Sequence, residues 1–375
     1  DISEKLAEFI SALKAEDGEK TAVFDSGTYY IDSERCKEYM LVITNTAGEK
    51  EFSPDETPHL NAVPFYFGGV SDLIFDGGDS IFVIDGKVTN IAVEDCRNIT
   101  LRNLEIRHAR PDMHELSVVR KSAFSVDFKI DSDSSFSVEN GKLVFSGHGY
   151  KNCCDMSSVN AGWIGLIREK TPEKVKRVMH PLFSSLSVRD MGGVVRAKYL
   201  NTSRFALGDR FYYYDVRRRF AGIFINRSEN IKLENIKQRF NYSLALVVQD
   251  SENLTVDSVD FSPEQGSARL LTSVADFIQL CMCRGLMTVK NSHFSGAGDD
   301  CLNVHGVHFE IVDISGRDMT VRFMHPQTYG FDPLRVGDTV AFINPDTMLE
   351  KGQAVIEKSE LVNNYDIKLT LSSVE

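Results

Sequence analysis

No apolar run in this chain approaches the length of a membrane span, and no stretch has the plan of a signal peptide. Basic surplus is also missing. The formal net charge of −12 argues against nucleic acid or an anionic membrane as a partner. The one dense basic run, Arg217, Arg218 and Arg219, reads as a solvated strand edge. Cysteine is present seven times, but never as C-x-x-C, so no structural zinc site is indicated and the thiols read as mostly reduced and structural. Helical periodicity all but disappears after Ala15, which excludes a helical bundle or an alternating α/β fold.

What remains is an ordinary soluble composition, 42% hydrophobic and 26% charged, in a chain of 375 residues that can bury a large core. It starts at Asp1 rather than Met, so a processed or engineered start is expected, and localisation is not legible in the residues. Near the start, Leu6, Phe9, Ile10 and Leu13 share one face of an amphipathic helix over Ile2 to Ala15, with Asp1 as N-cap.

Thereafter a short pattern returns. It reads S-D-L-I-F-D-G from Ser71, R-N-I-T-L-R-N-L-E-I from Arg97, E-N-I-K-L-E-N-I from Glu229, E-N-L-T-V-D-S-V-D-F from Glu252 and R-G-L-M-T-V-K-N-S-H-F from Arg284. Each copy has Asp, Asn or Gly at a turn and then alternating apolar positions. Short strands at a spacing of 23 to 26 residues (Asn230 to Asn253, Asp72 to Asn98) predict an all-β solenoid. The form expected is a right-handed parallel β-helix with the initial helix capping its open end.

Two stretches interrupt the pattern with hairpin-like strand pairs, and F-A-L-G-D-R-F-Y-Y from Phe205 resembles L-R-V-G-D-T-V-A-F from Leu334. Each interruption predicts a small antiparallel β-barrel. The expected organisation is a cap with the first coils over 1–115, an inserted barrel over 116–213, central coils over 214–306 and a second barrel over 307–375. Trp163, the single tryptophan, falls in the first insert and reads as core rather than as a sugar platform.

The stretch G-A-G-D-D-C-L-N-V-H-G, Gly296 to Gly306, holds the chemistry. Alone, a Gly-Asp-Asp triplet is a solvated turn. Asp276, in V-A-D-F, lies 23 residues before Asp299, the spacing of one coil. Stacking therefore brings Asp276 beside Asp299 and Asp300. Three clustered carboxyls split their titrations, so that one holds a proton while another is ionised, as glycoside hydrolysis requires. A calcium site is the competing use of such a cluster. Asn303 and His305 alternate with Val304 and point together toward sugar hydroxyls or into hydrogen-bonded core positions. Arg269 and Gln249 precede the acids and offer further hydroxyl contacts, with charge balance and a turn as their bland readings.

Ser251 to Leu349 resembles glycoside hydrolase family 110, the α-1,3-galactosidases. The resemblance is carried by S-E-N-L-T-V-D, G-S-A-R with V-A-D, C-R-G, G-D-D-C-L-N-V-H-G, R-F-M-H-P-Q-T-Y-G-F and V-G-D-T-V-A-F. Weaker likeness runs through Phe65 to Ile106 and Gly222 to Gln249. It implies a β-helix with barrel inserts, inverting hydrolysis without metal or other cofactor, and Asp276, Asp299 and Asp300 as catalytic residues. It also implies a galactose-terminated oligosaccharide or glycoconjugate as substrate and an exported, periplasmic or cell-surface enzyme. His325, Gln327 and Tyr329 in the longest motif become candidate pocket residues. After Asp276 this chain has Phe277, Ile278 and Gln279 where the family typically carries His-Phe. The family is longer and returns to β-helix after its second insert, so last coils are expected to be missing here. A homo-oligomer, the acceptor sugar and the need for a fucosyl branch are left open.

Two other readings share the fold. A polygalacturonase-like hydrolase also carries G-D-D-C, but no Gly-His-Gly or Arg-Ile-Lys follows at the distance required. A glycan-binding β-helix of the tailspike or adhesin type has no reason to align three acids.

Overall fold

The computed structural model describes residues 1–46, 60–153, 164–168, 171–178, 181–214 and 219–372. Trp163, Arg217 and Arg218, read above as core and strand edge, lie outside the described residues. One α-helix is present among those described, and nearly everything else regular is strand. No helix among them is long and apolar enough to cross a membrane.

The helix spans Ser3–Lys14 and buries Leu6, Ile10 and Leu13. Phe9 departs from the expected face: it is largely exposed and meets Phe24 edge-on. The N-cap position is Ile2 rather than Asp1, which sits one residue too early. The Asp1 carboxylate nevertheless takes the Ser3 N–H at 3.0 Å and the Ser3 hydroxyl at 2.6 Å.

Two parallel sheets follow. One runs from Lys20–Val23 and Thr28–Asp32 through Ser71–Asp85, Arg97–His108, Glu229–Gln238 and Glu252–Asp257 to Arg284–Lys290. The other has six strands: Phe65–Gly68, Ile91–Glu94, Ala221–Asn226, Leu244–Gln249, Ile278–Cys281 and Leu302–His305. The chain alternates between the sheets, so each round trip adds one strand to both. Inward side chains of both sheets form one core, including Phe65, Phe75, Ile99, Leu101, Ile225, Leu233, Val248 and Val256.

The turn residues of the sequence pattern have a shared backbone reason. Asp72, Asn98, Asn230 and Asn253 all have φ between 55° and 58°, a left-handed state that Asn and Asp tolerate best among non-glycine residues. Stacking them gives a ladder: Asn98 donates to Asp72 at 2.6 Å, Asn230 to Asn98 at 2.9 Å and Asn253 to Asn230 at 3.1 Å. Gly285 ends it with φ 66°, and any Cβ there would lie 2.3 Å from the Asn253 side-chain oxygen. Asn253 gives that oxygen to the Leu286 N–H instead.

Between the strands ending at His108 and beginning at Ala221 the chain forms a seven-stranded antiparallel sheet and a three-stranded one, packed through Leu116, Phe128, Phe145, Phe205 and Tyr213. Phe309–Ser315 to Asp366–Leu371 make a five-stranded antiparallel sheet over Val321, Phe323, Ile356 and Leu369. The six described cysteines are free. Burial pushes the Cys281 thiol up to about 12, so it behaves as an apolar filler.

Candidate active site

The outer face of the six-stranded sheet begins apolar. Ala92, Phe224 and Val247 stack in successive strands and are covered by Leu41, Ile43 and Val63. At the next two strands the same line changes to Gln279 and then Asn303. A parallel line of Glu94, Asn226 and Gln249 continues to Cys281 and His305. The first of these lines thus changes from apolar to carboxamide at one end of the stack, while the second is polar from its start except at Cys281. The candidate site is at that end.

Asp276 precedes the strand Ile278–Cys281. Its carbonyl accepts from Ala245 on the strand below at 3.0 Å, and Phe277 donates to the Asp300 carbonyl of the layer above at 3.0 Å. The offset between these layers is 24 residues, both at the bridge from Ser273 to Ala297 and at the pair Ile278 with Leu302. Asp276 therefore stands in register with Asp300, and Asp299 falls beside Ala275. The expected 23-residue step was one residue short here.

The three acids do not share an environment. Asp276 is 3% exposed, whereas Asp299 and Asp300 are exposed. Asn303 Nδ2 donates to Asp276 Oδ2 at 3.2 Å. Among the described residues, no group of three or more His, Cys, Asp or Glu is placed to hold a metal ion.

The other sequence candidates separate. His305 is half-buried, with Nδ1 2.9 Å from its neighbour's carbonyl at Gly306. Gln249 is fully enclosed: Oε1 accepts from the Thr44 N–H at 2.9 Å, and Nε2 donates to the Val42 carbonyl and Asn226 Oδ1 at 3.2 and 3.3 Å. It anchors a strap, Val42 to Thr46, across the sheet. Tyr329 is buried against Tyr365 in the second insert. Gln327 is half-buried and accepts from the Asn45 N–H at 2.8 Å. His325 Nδ1 accepts from the Gln327 N–H at 3.1 Å, and burial, then the nearby His305, lowers its pKa.

Arg269 is buried and turned toward the first insert. It pairs with both Asp133 oxygens and donates to the Met113 carbonyl at 2.8 Å. The next two backbone N–H groups, of Leu270 and Leu271, reach Glu115 Oε1 at 2.9 and 3.0 Å. Burial raises the Glu115 pKa, with Arg210 opposing. These contacts fix the approach of the chain to Asp276.

Two site residues were not singled out as binding candidates by sequence. Gln279 is fully buried, its Oε1 accepting from Asn45 Nδ2 at 2.9 Å, while its Nε2 has no partner among the described residues. Its signal was an amide at the outward position where earlier strands carry Phe224 and Val247. Asn45 gave none, because a stretch remote in sequence brings it there.

Residues 318–374 match the family described as GLAA-B beta-barrel domain II. Across the chain, a protein of Bacteroides thetaiotaomicron named alpha-1,3-galactosidase A is 30% identical over 94% of this chain and 60% of its own length. Its counterpart in Bacteroides fragilis strain YCH46 is 29% identical over 94% and 57%. An alpha-1,3-galactosidase B of Parabacteroides distasonis is 26% identical over 84% and 53%. The chain thus spans about three fifths of the length of the first of these relatives. A solved structure described as a putative glycosyl hydrolase from Parabacteroides merdae overlaps 81% of this chain at 13% identity and a TM-score of 0.22, too slight a likeness to bear on the fold.

Proposed function

Since this chain is a relative of the alpha-1,3-galactosidases along nearly its whole length, we propose that it is the site-bearing part of an exo-acting, inverting glycoside hydrolase. Its substrate is a glycan ending in α-1,3-linked galactose. In this reading the two parallel sheets are faces of a right-handed parallel β-helix and the antiparallel sheets belong to two small inserted barrels.

The observation that supports the reading is the shared register of Asp276 and Asp300 just ahead of the paired strands Ile278–Cys281 and Leu302–His305, where one line of the outer face changes from apolar side chains to amides. Asp299, on the exposed turn, donates a proton to the leaving glycosidic oxygen. Asp276 and Asp300 hold a water and take its proton as it attacks the anomeric carbon from the opposite face. The two functions need a separation of about 6.5–9.5 Å, which leaves room for that water. Asn303 orients Asp276.

The test is galactose release from α-1,3-galactosides by the protein and by Asp276→Asn, Asp299→Asn and Asp300→Asn, with the anomer of the first product read by NMR. β-Galactose appearing first, and loss of turnover in each variant, is expected. Full activity in any one variant removes that residue from the mechanism, and α-galactose as first product ends the inverting assignment.

A further inference from the structure

The strap Val42 to Thr46 reaches the site from far away in the sequence and is tied down at every step. Gln249 takes the Thr44 N–H, the Thr44 and Thr328 hydroxyls meet at 2.8 Å, and the Asn45 N–H donates to Gln327. At Asn45 the backbone is left-handed, with φ 59°, a state that costs most residues about 1–2 kcal/mol. The side chain is aimed by this turn onto the outer line of the sheet, where Nδ2 donates to Gln279 Oε1 at 2.9 Å. Gln279 lies in register with Asn303, one strand spacing away, and Asn303 holds Asp276. Three carboxamides thus run from the strap to the buried acid.

Two polar groups in this row have nothing to bind among the described residues. The Gln279 Nε2 group is wholly enclosed and unpaired, and Asn45, half-buried, shows no partner for Oδ1. Gln279 Nε2 is sealed from any ligand, whereas Asn45 Oδ1, on a half-buried residue whose Nδ2 is already committed to Gln279, is the acceptor in the row left open to one. We propose that Asn45 is a substrate-reading residue: its Oδ1 accepts from a hydroxyl of the sugar seated over Asp276, and Gln279 is the positioning residue that aims it. The ligand class is a neutral hexose, whose hydroxyls both donate and accept, and the inference rests on the glycosidase reading above.

Asn45→Gly keeps the left-handed turn, which glycine adopts freely, and removes only the amide. The experiment compares this variant with the unaltered protein for kcat and KM on an α-1,3-linked digalactoside and for galactose affinity by NMR titration. One hydrogen bond predicts about a tenfold rise in both KM and the galactose Kd, with kcat within about twofold. Unchanged KM and Kd in an active enzyme overturn the role of Asn45 while leaving the acid site intact. A fall in kcat at constant KM assigns Asn45 to strap architecture and overturns the proposal as well. If the unaltered protein neither cleaves the digalactoside nor binds galactose, both the inference and the reading beneath it fall. Gln279→Met is the second variant: it fills the enclosed space but removes the acceptor for Asn45 Nδ2, and is expected to raise KM and the galactose Kd in the same direction as Asn45→Gly, whereas unchanged values overturn the positioning role of Gln279.

Discussion

The layer Ile278–Cys281 and the layer Leu302–His305 have the same inward pattern and opposite burial. Ile278 and Leu280 are 1% and 5% exposed, whereas their partners Leu302 and Val304 are 50% and 67% exposed. In the other sheet Leu254 and Val256 are buried, and their partners Met287 and Val289 are not. Nothing in the local sequence distinguishes the two layers. Burial here comes from having a neighbour on both sides. The acids straddle this boundary, with Asp276 in the covered layer and Asp299 and Asp300 in the open one. Three residues of one type thus obtain unlike surroundings from their height in the stack.

The largest effect should fall on the acid in the covered layer. Asp276→Asn is expected to lower galactose release by about 10²- to 10⁴-fold, the usual worth of a positioned acid or base, while its unfolding midpoint changes little because the amide can still bond Asn303. Next comes the contrast between layers. Leu280→Ala should cost about 2–5 kcal/mol in denaturant unfolding, and Leu302→Ala within about 0.5 kcal/mol, because only the first leaves a cavity. Equal costs would show that the open layer is covered in solution.

Acid stability sharpens the comparison from the covered side. His108 is enclosed against Phe240 and Tyr242, with neither ring nitrogen partnered among the described residues, and burial lowers its pKa to about 3. The unfolded chain binds a proton at this residue below about pH 6.5 and the folded chain does not, so stability is full above that pH. It is lost as pH falls toward 3, by at most about 1.4 kcal/mol per pH unit. His108→Leu should flatten that slope in urea titrations between pH 6.5 and 4. The smallest loss of stability expected from a disruptive change is at the ladder's last rung. Gly285→Ala meets both a φ of 66° and the Asn253 oxygen, and should lower stability by about 1–2 kcal/mol.

Much of this architecture could be read in advance at particular residues. Asp72, Asn98, Asn230, Asn253 and Gly285 announce their turns because so few residue types accept a left-handed backbone. The alternation around Ile231, Leu233, Leu254 and Val256 announces which side faces the core. Other positions misled. A 23-residue spacing placed Asp276 beside the pair Asp299 and Asp300, and the 24-residue offset between these layers puts it in register with the second of them. Arg269 and Gln249 read either as sugar contacts or as charge balance and a turn; Arg269 pairs with Asp133 and Gln249 bonds the strap.

The sequence by itself determined the all-β character and the turn positions, since these depend on backbone preference and on side-chain period over a few residues. Only the tertiary structure decided which acid stands beside which, which layer is covered, and that Asn45 reaches the row of amides at Asp276. Those relations depend on the register between strands and on a strap remote in sequence, and neither leaves a local mark in the chain.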